Sequence, residues 1–165
     1  MATWVIEDDC LVPERYIRII YKGPNPFAAY QATFNIFRKI VQIDPADYRE
    51  RDFRWDISGD PRGFYIRALI EKSMDARTRI VFEVIFQGNQ PSDPSKNGEL
   101  TILIYPRMRT EYKLDSQFQQ SPFYKALLWL YNFFFYFRVR RGYLKICNDW
   151  VAQLSKEYRE LLKIG

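Results

Sequence analysis

The sequence predicts an α+β fold: a curved antiparallel β-sheet of six to seven strands with a short helix after the first strand, and a long C-terminal helix across the concave face. Three observations predict it. Apolar and charged residues alternate through successive segments between residues 51 and 114, the period-two signature of strands with one buried and one solvated face. Turn-forming clusters such as SGDPRG and SMDART separate those segments, so neighbouring strands join as a meander. From Ser121-Pro122 to Ile164 there is no further proline, and the second half of that stretch carries apolar residues at helical spacing.

Taken in order, RYIRIIYK (15–22) reads as a strand rich in β-branched and aromatic residues. The preceding TWVIE supplies a seventh strand if it pairs. Asn25 and Pro26 suit the cap and first position of a helix. Phe27, Tyr30, Phe34, Phe37 and Val41 then mark its apolar face, and Asp44-Pro45 ends it. In RERDFRWDIS, Phe53, Trp55 and Ile57 alternate with Asp52, Arg54 and Asp56. FYIRALIEK and RIVFEVIFQ repeat the pattern, GNQPSDPSKNG is a polar loop, and ELTILIY and PRMRTEYKL follow as two strands. Pro106 lies between those two, which argues for an edge position or a bulge. Such a sheet needs a cover for its apolar face. The C-terminal helix, 121–164 of a single domain spanning 1–165, is the candidate. Its second half is amphipathic through Tyr143, Ile146, Trp150, Leu154, Tyr158 and Leu161.

The first half of that helix is unusual. Ala126 to Phe137 holds no charge, and Asn132 is its one strongly polar side chain. Twelve such residues rise about 18 Å as a helix, against a hydrocarbon core of about 30 Å, so the segment is too short to span a bilayer. It is long enough to lie on a membrane surface, with Trp129, Tyr131 and Tyr136 near the headgroups and Arg138, Arg140 and Arg141 on phosphates. Gly142 is a candidate kink. The net charge is +5, and Lys125, Arg138, Arg140, Arg141 and Lys145, with no acid between Ser121 and Cys147, account for the excess. A local basic patch suits anionic lipid, nucleic acid or an acidic partner, or is simply a solvated helix face.

Several function classes are excluded or weakened. The chain has no histidine, which removes imidazole acid–base catalysis, Ser-His and Cys-His nucleophiles, and histidine metal sites. Cys10 and Cys147 form no CxxC and read as two free or buried thiols in a reducing compartment. The N-terminus MATWVIEDDC carries acids where a leader would carry bases. The expected location is therefore the cytoplasm, free or peripheral at the membrane. Asp52, Arg54 and Asp56 share a strand face, where pairing with arginines of a neighbouring strand is expected rather than acid–base work. No phosphate loop or calcium loop is present. Nucleic-acid binding is not favoured, because the rings near FRVRRGYLK are needed for the core.

The succession of strand, helix, antiparallel meander and long C-terminal helix resembles the helix-grip fold of the START-like or SRPBCC superfamily, which includes pollen-allergen-type carriers, START lipid-transfer domains and polyketide cyclase-like proteins. The resemblance covers roughly residues 4–163 and rests on element order; the family often has two short helices where this chain has one. It implies a cavity between sheet and C-terminal helix that takes an apolar or amphipathic small molecule. A carrier or sensor is expected rather than an enzyme, because the sequence shows no nucleophile–base pair and no metal cluster. The residue pattern places the walls in the same region. Phe53, Trp55, Phe64, Ile66, Phe82, Phe86, Ile102, Met108 and Tyr112 are expected to point inward from the sheet, facing a helical stripe of Phe123, Leu127, Leu130, Phe134 and Phe137. The bland alternative is that these rings interdigitate as solid core. No metal or cofactor is expected. The second reading is an interaction module that uses the apolar half-helix 126–137 and the basic patch Arg138, Arg140, Arg141 and Lys145 against a membrane surface, a protein partner or a second copy in a homodimer.

Overall fold

The computed structural model describes residues 2–164. In chain order these form β1 (Ala2–Asp9), β2 (Ile17–Pro24), α1 (Ala28–Val41), β3 (Tyr48–Trp55), β4 (Arg62–Ser73), β5 (Thr78–Gln90) and β6 (Asn97–Leu114). A continuous helical segment follows: α2 (Pro122–Tyr131), a π-helical turn (Asn132–Tyr136) and α3 (Phe137–Leu161). The architecture is α+β, with an open antiparallel sheet of six strands and a long C-terminal helix. Strands β3, β4, β5 and β6 form the meander. The far edge of β6 is shared end to end by two strands: β1 pairs with Arg107–Leu114, and β2 with Asn97–Ile104. TWVIE is therefore a strand.

The two strands expected on either side of Pro106 are one strand of 18 residues. The reason lies in the partners. Pro106 falls where β1 has ended, at Asp9 opposite Arg107, and β2 has not begun, at Ile17 opposite Ile104. A proline has no N–H to donate, and its carbonyl here accepts from the Cys10 N–H at 3.1 Å. The missing donor thus falls in a gap of the ladder.

Period-two alternation puts Phe64, Ile66, Ala68, Ile70, Ile80, Phe82, Val84, Phe86, Ile102, Ile104 and Met108 on one buried face. Helix α1 covers part of it with Ala29, Thr33, Ile36, Phe37 and Val41. The helix starts at Ala28, two residues later than Pro26, because Asn25 adopts a left-handed conformation (φ 49°) that turns the chain first. The second half of α3 covers the rest with Cys147, Val151, Leu154 and Tyr158. Rings meet across the layers: Phe37 with Phe82 at 5.3 Å, and Phe86 with Tyr30 at 5.7 Å and with Tyr158 at 6.3 Å. The buried Tyr158 hydroxyl donates to Thr33 Oγ1 at 2.9 Å, which donates to the Ala29 carbonyl at 2.8 Å. This relay satisfies the polar atoms that α1 and α3 bury together.

On the opposite face the charges pair across strands as expected. Asp52 meets Arg67 at 3.2 Å, Arg67 meets Glu83 at 3.6 Å, Glu83 meets Arg107 at 3.5 Å, and Arg107 meets Glu7 at 3.1 Å. One line of alternating charge thus crosses five strands. Each partly exposed pair contributes at most about 1 kcal/mol. The line mainly fixes cross-strand register and keeps this face hydrated.

Two expectations are corrected. Helix α3 runs unbroken through Gly142, and the irregularity lies upstream in the π turn. Cys10 and Cys147 are not free thiols: they are joined in a disulfide that ties the end of β1 to the middle of α3 across a sequence separation of 137. Closing so long a loop restricts the unfolded chain strongly. Replacing both cysteines by alanine is expected to cost about 2–5 kcal/mol, read as a lower urea midpoint against the oxidised wild type.

Candidate functional site

The C-terminal half of β6 and its partner β1 extend the sheet under α2 and the π turn. There Tyr112, Leu114 and Leu128 form a second, small apolar cluster, with Trp4, Ile6 and Tyr124 packed against it. Helix α2 starts cleanly: the Ser121 side chain accepts from the Tyr124 N–H at 3.3 Å, and Pro122 takes the first helical position.

The side chains this helix turns toward the sheet are Tyr124, Leu128, Asn132, Tyr136 and Arg140, one at every fourth position. Leu128 is the only aliphatic member. Asn132, Tyr136 and Arg140 are held by hydrogen bonds. The Tyr112 hydroxyl donates to Asn132 Oδ1 at 2.9 Å, and Asn132 Nδ2 donates to the Leu128 carbonyl at 2.8 Å. The Tyr136 hydroxyl lies 2.7 Å from Thr78 Oγ1, itself 2.9 Å from Thr110 Oγ1, and donates to the Asp75 carboxylate. Arg140 meets Asp8 at 2.5 Å, and the Tyr143 hydroxyl donates to Asp75 at 3.0 Å. A stripe at every fourth residue drifts by about 40° per step in a regular α-helix. The π turn, with the Phe137 N–H bonded to the Asn132 carbonyl, absorbs an extra residue and keeps Asn132, Tyr136 and Arg140 over the sheet.

With the polar stripe turned inward, the apolar side chains face out. Phe123, Trp129, Phe133, Phe134 and Phe135 are 56–70% exposed, and Leu127, Leu130, Tyr131 and Phe137 are also exposed. Trp129 and Phe133 stack at 5.4 Å. Lys125, Arg138, Arg141 and Lys145 are exposed around this surface, with no acid between Ser121 and Asn148. Two concavities flank the helix. One, about 320 Å³, lies between β1 and the helix and is lined by Trp4, Ile6, Trp129, Asn132, Phe133, Phe137 and Arg140. The other, about 460 Å³, is polar and lies against the β4–β5 turn, with Asp75, Arg77, Tyr112, Lys113 and Tyr124 on its walls.

The residues expected to face one another across a cavity are divided by this arrangement. Phe64, Ile66, Phe82, Phe86, Ile102 and Met108 are buried in the main core. Trp55 is half-buried, and Phe53 is 50% exposed at the β3 edge beside Tyr30. Tyr112 belongs to the small cluster under α2. The helical stripe Phe123, Leu127, Leu130, Phe134 and Phe137 is exposed and does not face the sheet. It is the stripe of Tyr124, Leu128, Asn132, Tyr136 and Arg140 that packs instead. Arg138, Arg141 and Lys145 are on the surface as expected, but Arg140 is 8% exposed and tied to Asp8. Tyr136, expected with Trp129 and Tyr131 at lipid headgroups, is instead buried against the sheet. Sequence reasoning missed Trp4, Ile6, Asp8 and Asp75. The available signal was the fourfold spacing of Asn132, Tyr136 and Arg140.

Among the described residues, no group of three or more His, Cys, Asp or Glu is placed to hold a metal ion. Compared with known protein families, curated proteins and solved structures, the chain gives no match.

Partial burial pushes the Asp75 carboxyl up, but the Tyr136 hydroxyl, the Arg77 and Thr78 N–H groups and the Tyr143 hydroxyl outweigh it and hold it below the usual carboxylate range. A depressed carboxyl contributes stability that is full above its unfolded pKa and is lost as pH falls through the folded one. Tyr136→Phe, which removes the strongest of those donors, is expected to cost about 1–2 kcal/mol at neutral pH. The loss should shrink as urea melts are carried to acid pH, through the depressed titration of Asp75.

Proposed function

We propose that the protein is a peripheral membrane-binding module whose aromatic helix, Phe123 to Phe137, lies in the surface of an anionic bilayer. The observation that carries this reading is the inverted helix: hydrogen-bonding side chains turned to the protein, and rings turned outward over most of its circumference. A contiguous exposed apolar surface of this kind marks an interaction site. Trp129 and Tyr131 suit the headgroup level, and Lys125, Arg138, Arg141 and Lys145 suit lipid phosphates at about 1 kcal/mol each. Pairing with a second copy through the same helix would place these cations against one another with no acid between Ser121 and Asn148 to offset them. Among the described residues no helix is long and apolar enough to cross a membrane, so the helix is taken to lie in the surface rather than span it.

The domain then acts as a stand. The order of strand, helix, meander and long helix supports a helix-grip-like reading of the scaffold. Between sheet and helices, however, Phe37, Phe82, Phe86 and Tyr158 fill the space with ring contacts, which favours lipid outside the helix over a ligand beneath it. Both cysteines sit in the disulfide, which suits an oxidising compartment better than a reducing cytoplasm.

Flotation with phosphatidylcholine vesicles, with and without phosphatidylserine, tests the reading. The protein is expected to float with the anionic vesicles and to be partly released by high salt. Arg138→Glu/Arg141→Glu changes the charge by four and is expected to weaken binding roughly a thousandfold at about 1 kcal/mol per charge. These side chains are exposed, so the variant keeps its fold. A wild-type protein that ignores both vesicle types and runs as a dimer would overturn the reading.

A further inference from the structure

We propose that the cavity between β1 and the helix binds a single-chain amphipath with a carboxylate head, its alkyl chain among the rings and its head on Arg140. The proposal rests on the reading of this helix as lipid-facing and names the lipid it would take from the bilayer. Three observations point to it.

The first is a buried cation with donors to spare. The Arg140 side chain is only 10% exposed, yet its one ion-pair partner among the described residues is Asp8, itself 44% exposed. Its Nε is buried and has no hydrogen-bond partner among the described residues. A guanidinium carries five N–H donors, and leaving buried ones unmet is costly. No acid on the helix approaches, since none occurs between Ser121 and Asn148. Beside Arg140, Asn132 gives one Nδ2 hydrogen to the Leu128 carbonyl and has a second available. A carboxylate placed here meets donors from both side chains.

The second observation is the wall. Trp4, Ile6, Trp129, Phe133 and Phe137 supply the rest of the lining. The volume of about 320 Å³ lies at the small end of the range for small-molecule sites, about 300–1,000 Å³. That suits one alkyl chain rather than two. A single guanidinium already shared with Asp8 suits a monoanion better than a phosphate dianion.

The third is continuity. Trp129, Phe133 and Phe137 line the cavity and are also 52–60% exposed on the outer surface. The mouth therefore opens where the helix would meet acyl chains, and a single-chain lipid can enter sideways without crossing water.

The test uses the whole protein without vesicles, titrated with dodecanoate and with dodecanol below their micelle or solubility limits. Calorimetry and tryptophan fluorescence read the binding. Saturable one-to-one binding of dodecanoate is expected, with dodecanol weaker by roughly tenfold to a hundredfold, the value of a charge-assisted hydrogen bond. Arg140→Met is expected to abolish the preference for the acid. Because Arg140 also anchors the helix, Trp129→Ala serves as a second variant; it removes a wall from an exposed position and is expected to weaken dodecanoate about tenfold in calorimetry. Equal affinity for acid and alcohol, non-saturating uptake, or indifference to Trp129→Ala would each overturn the proposal. Dodecanoate binding by a protein that does not float with vesicles would sink the membrane reading and keep this one. Flotation without dodecanoate binding would do the reverse.

Discussion

The Tyr136 hydroxyl stands where three elements converge. It contacts Thr78 at the start of β5, it donates to Asp75 in the turn before it, and through Thr78 it is linked to Thr110 of β6. Thr78 and Thr110 are cross-strand partners, and both are essentially inaccessible to solvent. Two buried hydroxyls side by side on a sheet demand a polar partner from whatever covers them. That demand sets the rotation of the helix above. Once Tyr136 is committed to them, Asn132 and Arg140 fall over Tyr112 and Asp8, and Phe133 to Phe135 have only the outside left.

The rest of the architecture holds that contact in place. The 18 residues of β6 carry the sheet past the main core, and β1 widens the extension enough to receive a helix. Neither strand would be stable there alone, with only Trp4, Ile6, Tyr112 and Leu114 to pack. The disulfide from Cys10 to Cys147 pins the end of β1 to α3, just beyond the point where Arg140 meets Asp8. Farther along, α3 is anchored by its own core stripe and by Lys39–Glu157 at 2.6 Å. The platform is therefore fixed from both ends, and the π turn takes up the mismatch between a fourfold stripe and a helix of about 3.6 residues per turn.

Alternation made the sheet legible from sequence, because in β4, β5 and β6 one face is mostly apolar and the other carries charges that pair across strands. The phase of the helix was not legible. Hydrophobic periodicity assigns inward positions to apolar residues, and around 126–137 almost every position qualifies, so Phe123, Leu127, Leu130 and Phe134 were as good as any. What decides the phase is the pairing of Thr78 with Thr110 and the position of Tyr112, and these become visible only once strand register is known. Pro106 misled for a related reason: its tolerance depends on a gap between β1 and β2 that no local signal marks. The disulfide was hidden by its sequence separation of 137, which carries no spacing motif. Arg140 looked like one arginine among three, and only a partner on β1 sets it apart.

The inverted helix also constrains what covers it. Turning the helix by half a turn would bury Phe133, Phe134 and Phe135, which the hydrophobic effect alone favours by roughly 1.5–3 kcal/mol per large side chain. The same turn would leave Thr78, Thr110 and Tyr112 beneath apolar rings without their polar partners on the helix, and each buried orphan costs about 1–3 kcal/mol. The two totals are comparable, so the hydrogen bonds hold the observed rotation only because there are several of them acting together. In water the exposed rings gain nothing from this choice. Against hydrocarbon they recover the burial they forgo on the sheet, and both sides of the helix are then satisfied at once.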